Sequence, residues 1–176
     1  MDLVYGQAVA GYDELPNALV DGRVDIAYML PIYQPDEFPV FEAYVTATTL
    51  TGMSPLVDEL AGNAAFGELA WNDENLLNEF RDAGIEPLNP FYPAGAIFPM
   101  CASEHASIED WQGSQVRASG RAQTERLSAL DASPVSMEYT EVYEALQRNT
   151  VDCTLTAALP AGASGVAEVA SNVGYQ

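Results

Sequence analysis

From Ser114 to Leu159 the chain passes through five segments of alternating apolar period, and this alternation limits the possible folds more than any other feature. SQVRAS, SPVSMEY and TVDCTLTAAL read as strands, whereas RAQTERLSAL and TEVYEALQRN carry apolar residues at helical spacing. The first helix is expected to turn Ala122, Leu127 and Leu130 inward, and Thr140 to cap the second. Strand, helix, strand, helix, strand predicts a parallel sheet with right-handed crossovers. Just upstream, SIEDWQG predicts a single helical turn with Ser107 as N-cap, Asp110 at the capping-box position and Gly113 as terminator.

The amino-terminal half is less regular. DELPNALV, residues 13–20, predicts a short helix ending in a turn at Asp21-Gly22. VDIAYMLPIY, residues 24–33, predicts a buried parallel strand stopped by Pro31. Residues 34–55 read as loop with one short helix. From Ser54 to Ala83 the positions Leu56, Leu60, Phe66, Leu69, Leu76, Leu77 and Phe80 predict two helices, broken either near Gly62 to Gly67 or at Asn72-Asp73, with Gly84 as the C-terminal cap. The proline-rich IEPLNPFYPAGAIFP that follows is the candidate hinge between two lobes.

Composition narrows the function classes. A chain of 176 residues with 48% hydrophobic content has enough apolar surface for one large domain or two small lobes. Twenty-six acidic residues face six arginines and no lysine, for a net charge of -20, which argues against nucleic acid and anionic membrane as partners. No apolar run is long enough to span a bilayer, and the opening residues lack the pattern of a secretory signal. Cys101 and Cys153 are too few and too far apart for zinc or thioredoxin-like motifs; they are either one disulfide or two buried thiols. His105, the sole histidine, reads as an exposed loop residue. The acid pairs Asp36-Glu37, Asp73-Glu74 and Glu109-Asp110 read as solvated faces or helix N-terminal charges, so neither a metal nor a cofactor is expected.

One residue stands out against that background. In an open α/β sheet, ligands bind outside the carboxyl ends of the strands. Arg117 falls at such an end, and its planar fork suits a carboxylate, with Ser119 and the N–H of Gly120 as further donors. Arg121 lies in the first helical turn and is expected to point outward. The competing reading pairs Arg117 with one of the chain's own carboxylates.

Trp111-Gln112-Gly113, Arg117, Ala132-Ser133-Pro134, Glu141-Val142-Tyr143, Ala145-Leu146-Gln147 and Val151-Asp152 together resemble the DctP-type solute-binding proteins of TRAP transporters. The likeness is dense from Gly95 to Leu159 and weaker over ELPNALVDGRVDIAYMLPIY. It implies a periplasmic-binding-protein-like α/β fold of two lobes with parallel-dominated sheets flanked by helices, the first lobe incomplete. The implied boundaries are 1–88 for the partial first lobe, 89–99 for the hinge, 100–160 for the second lobe, and 161–176 for a segment returning toward the first.

The resemblance also implies that Arg117 grips a ligand carboxylate, with Ser119, Gly120, Tyr139 and Thr156 around it, Leu30 and Tyr33 facing the ligand from the first lobe, and Ile97 on the hinge strand. The chain departs from the family pattern at Ile97, where many members carry a second arginine, and at Asp152-Cys153-Thr154-Leu155-Thr156, where glycine, glutamate and asparagine are missing. One clamped carboxylate on an otherwise less polar ligand is the resulting expectation. The implied role is an extracytoplasmic, non-enzymatic receptor that captures a small organic acid and delivers it to TRAP membrane permease subunits. A ligand-sensing adaptor and a small α/β enzyme are the alternatives. With the targeting segment absent and the first lobe incomplete, chains are expected to self-associate.

Overall fold

Two units, Met1–Ala94 and Gly95–Gln176, divide the chain in the computed structural model, which describes residues 2–47, 55–90 and 97–174. The boundary falls inside the expected hinge at 89–99, whose residues 91–96 lie outside the described ones.

The described elements of the first unit are helical: α1 (Leu15–Val20), α2 (Pro39–Ala47), α3 (Pro55–Asn72) and α4 (Glu74–Asp82). Proline opens α2 and α3, where its fixed φ suits the first turn and its missing N–H costs nothing. The break between α3 and α4 falls at Asp73, whose extended backbone leaves its carboxylate to accept the Asn75 N–H at 2.9 Å. Gly84, at φ +81°, ends α4: its N–H donates to the Arg81 carbonyl, and the Ile85 N–H donates to the Phe80 carbonyl. Phe38, Phe41, Leu76 and Phe80 form the core of this unit with Ile32 and Ala70.

Glu79 ties two helices together, its carboxylate accepting the first-turn N–H groups of Val40 at 2.5 Å and Phe41 at 2.9 Å. The Tyr44 hydroxyl donates to Asp73 at 2.7 Å. This hydrogen bond holds the Asp73 carboxyl below its usual range, while burial and the Asp73 charge push the Tyr44 hydroxyl up to about 12.

One expectation fails in this unit. Residues 24–33 form no strand: Val24 to Leu30 is irregular and Pro31–Tyr33 is a single 3₁₀ turn. A strand needs a neighbour for its backbone groups, and the described residues of this unit contain none. Ile26 and Tyr28 accordingly stand exposed. In α3, Leu60 and Leu69 are more than half exposed, whereas Ala70 is buried in the core of this unit.

The second unit holds β1 (Phe98–Cys101), β2 (Gln115–Ala118), α5 (Gly120–Ala129), β3 (Ser133–Ser136), α6 (Val142–Gln147), β4 (Cys153–Thr156), α7 (Ala158–Ala163), α8 (Val166–Val169) and β5 (Asn172–Val173). The strands form one sheet in the order β3-β2-β4-β1-β5. β2 runs parallel to β3 and β4 as expected, whereas β1 is antiparallel to β4 and β5, so the sheet is mixed. One face, with Val116, Ala118 and Cys153, packs with Trp111, Leu127 and Ala132. The other, with Met100, packs with Val142, Leu146, Val166 and Ala170.

Ser107 and Asp110 form the expected capping box, in which the Ser107 N–H donates to the Asp110 carboxylate at 2.8 Å. Two further corrections apply. Thr140 does not cap α6; it sits inside a 3₁₀ turn, Tyr139–Glu141, whose cap is Glu138, donating its N–H to Glu141 at 3.2 Å. Residues 161–174, expected to return toward the first lobe, belong to the second unit, because Ala161, Val166 and Ala170 bury against α6 and β5 pairs with β1.

Candidate functional site

The register of β2, β3 and β4 sets which groups meet at the carboxyl edge of the sheet. Arg117 lies opposite Val135 on β3 and Thr154 on β4, so in these parallel strands the three side chains share one face. Two residues further on, Ser119, Met137 and Thr156 reach the same edge. Phe98 pairs with Thr156, which brings the start of β1 and the preceding Ile97 there as well.

Arg117 is 2% exposed. Its Nε donates to the Met137 carbonyl at 3.2 Å, and its guanidinium carbon lies 5.3 Å from the centre of the Tyr139 ring. The ring face is electron-rich, so this placement is attractive and fixes the plane of the fork. Tyr139 is itself positioned by the Ser164 hydroxyl at 3.3 Å, on the loop after α7. The carbonyl and the aromatic face thus hold a buried guanidinium in one orientation, the arrangement that lets arginine bind a carboxylate with little further ordering.

Ser119 and Gly120 open α5. Gly120 has φ +75°, a conformation that an L side chain adopts only with strain. The Ser119 N–H donates to the Gln123 side-chain oxygen at 2.9 Å, and its hydroxyl lies 3.4 Å from the same atom. Ser119 is thus engaged by Gln123, a residue that the sequence reading missed although it lies four positions further along. The Thr156 side chain is 5% exposed, and its hydroxyl lies 3.5 Å from the Ala157 carbonyl. Thr154, beside Arg117 in the register, is fully buried, and its hydroxyl has no hydrogen-bond partner among the described residues. Arg121 is exposed, as expected.

Six of the eight expected site residues, Arg117, Ser119, Gly120, Tyr139, Thr156 and Ile97, are thus in the second unit. Leu30 and Tyr33 belong to the first, where both are half-buried and Tyr33 stacks on Tyr12 with ring centres 5.8 Å apart. Leu155, at the position of the family's glutamate, packs with the cluster of Val116 and Trp111, on the face opposite Arg117.

Cys101 and Cys153 are one disulfide, at directly opposed positions of β1 and β4 and separated by 52 residues of chain. His105 is half-buried rather than exposed. Its ring meets Trp111 edge-on at 5.4 Å, and its nitrogens contact the Ser103 carbonyl at 3.1 Å and the Ser114 hydroxyl at 3.0 Å.

Residues 14–175 match the family described as bacterial extracellular solute-binding protein, family 7 (DctP). The chain belongs to the DctP family. Solved TRAP solute-binding proteins share its fold. The periplasmic ectoine-binding protein of the TeaABC TRAP transporter of Halomonas elongata is 19% identical, with a TM-score of 0.76 over 94% of this chain and 52% of that one. A glucuronate-bound protein of Anaerococcus prevotii is 17% identical, with a TM-score of 0.79 over 96% and 53%. The galactonate-bound sugar acid binding protein of Advenella mimigardefordensis is 19% identical, with a TM-score of 0.75 over 95% and 52%. This DctP chain therefore spans about half the length of these relatives. No curated protein matches its sequence. None of its described helices is long and apolar enough to cross a membrane.

Proposed function

We propose that this DctP chain acts as an extracytoplasmic, non-enzymatic receptor that binds a small organic acid through Arg117 and presents it to TRAP permease subunits. The observation that carries this reading is the burial of Arg117 at the carboxyl edge of the sheet, with its fork oriented by Met137 and Tyr139. Burial excludes water from the ion pair, which makes a carboxylate held there worth more than at the surface. Ser119 and Thr156 orient the acid, Gly120 admits it close to the backbone, and Tyr139 and Ile97 give shape to its body. Ile97, 38% exposed, stands where many relatives have a second arginine, so the favoured ligand has one clamped carboxylate and a less polar remainder.

Calorimetry of the chain against mono- and dicarboxylates tests the reading. Arg117→Ala is expected to lose about 2–5 kcal/mol of binding, and Arg117→Lys to recover little of it because lysine has no planar fork. Equal binding by wild type and Arg117→Ala, or no binding of any carboxylate by either, would overturn the assignment. Best binding of a tricarboxylate or a heavily hydroxylated sugar acid would overturn the ligand class alone.

Several apolar side chains of the first unit, among them Tyr5, Ile26, Tyr28 and Trp71, are more than half exposed. They support association of chains through this unit.

A further inference from the structure

The Cys101–Cys153 disulfide and His105 form a three-residue group in which one ligand atom from each lies within 4.8 Å of the others. We propose that this group is a redox-gated site for a thiophilic divalent cation of the zinc class. In the cross-linked chain the two sulfurs are bonded to each other and bind nothing. A two-electron reductant of the thiol or phosphine class adds two electrons and two protons, breaking the S–S bond to give two thiols. Cation binding then expels both protons and leaves two thiolates and one imidazole nitrogen on the metal, with a fourth position open to water. A disulfide-class oxidant, which takes up the two electrons and two solvent protons to become two thiols, restores the cross-link and releases the cation.

Three features of the structure support the assignment. The cysteines face each other across β1 and β4, next to the pair in which the Ala102 N–H donates to the Asp152 carbonyl, so the ladder holds both side chains on one face after reduction. Tetrahedral zinc–thiolate geometry needs the sulfurs about 3.8 Å apart, a separation that side-chain rotation supplies without breaking the ladder. The His105 ring lies beside the pair, with one nitrogen 3.1 Å from the Ser103 carbonyl and the other 3.0 Å from the Ser114 hydroxyl. That hydroxyl donates its own proton to the Asp110 carbonyl, so cation binding exchanges one of the histidine's hydrogen bonds for the metal. Both cysteines are at most 3% exposed and His105 is half-buried, so little water competes for the cation.

The test is a titration of the whole chain with Co²⁺, before and after phosphine reduction without oxygen, with circular dichroism recorded in parallel. The reduced chain is expected to bind one Co²⁺, with thiolate-to-cobalt charge transfer in the near ultraviolet and tetrahedral ligand-field bands in the visible. The oxidised chain is expected to show neither, and Zn²⁺ should displace the cobalt. His105→Ala should weaken binding at least tenfold, about the least that loss of a group around a metal costs. A reduced chain with no cobalt spectrum would overturn the proposal, whether folded or not. So would equal affinity of reduced wild type and His105→Ala, since any flexible dithiol would then suffice.

Discussion

At the residue scale, the backbone around Arg117 matters as much as the arginine. Gly120 occupies the left-handed region immediately after Ser119, so Gly120→Ala introduces strain where the strand turns into α5. About 1–2 kcal/mol of stability is expected to be lost, together with carboxylate affinity, as Ser119 and Gln123 shift. Urea melts and calorimetry of the same variant check both; unchanged binding in a destabilised protein would remove Gly120 from the site. That a glycine stands there is visible in the string ASGRA. That Gln123 would engage the Ser119 N–H is not, because a glutamine four residues into a helix normally faces solvent.

At the scale of elements, α2 and α4 are joined by polar contacts that respond to pH. The Asp73 carboxyl is lowered by the Tyr44 hydroxyl and the Asn75 N–H, and Asp110 by the N–H and hydroxyl of Ser107. Both favour folding when ionised, so their contributions are full above the unfolded value of about 4 and disappear as pH falls through the lower folded values. Tyr44 behaves in the opposite sense. Its folded-state value is raised, so its contribution is full below about 10 and is lost as pH rises toward about 12. Denaturant midpoints measured across pH should decline at both ends, and Tyr44→Phe should flatten the alkaline decline. An identical alkaline profile in the variant would show that the Tyr44–Asp73 bond does not couple the helices. Helix α4 itself was legible from Asp73, the Leu76, Leu77 and Phe80 stripe, and Gly84. Its link to α2 through Glu79 was not, because the partners lie 39 and 38 residues apart.

At the scale of the whole molecule, the cross-link acts on one unit only. The disulfide closes a loop of 52 residues within Gly95–Gln176, and in the chain-entropy description its removal costs about 4 kcal/mol. Reduction in the absence of metal should therefore lower the unfolding midpoint of the second unit, reported by Trp111, and leave Trp71 in the first unaffected. A common shift of both signals would mean that the units unfold together. Self-association has its own measurement: light scattering across protein concentrations should give a mass above that of one chain. Replacement of exposed Ile26 and Tyr28 by serine should reduce that mass, and a monomer throughout would rule association out.

The sequence by itself determined the elements from Ser107 to Thr156, because apolar period, capping boxes and glycine stops are local properties. It also determined that an arginine would stand at the end of a strand in a strongly acidic chain. The pairing of β1 was decided by tertiary structure alone, since a period-two pattern without a crossover helix serves a parallel or an antiparallel neighbour; hence β1 is antiparallel, and residues 24–30, with no partner strand among the described residues, stay irregular. Two cysteines 52 residues apart carry no sign of their pairing until β1 and β4 bring them face to face, and His105 joins them only because its loop folds against Trp111. The clamp around Arg117 is of the same kind: Met137, Tyr139 and Ser164 converge on it from segments that only the packed sheet and its covering helices bring together.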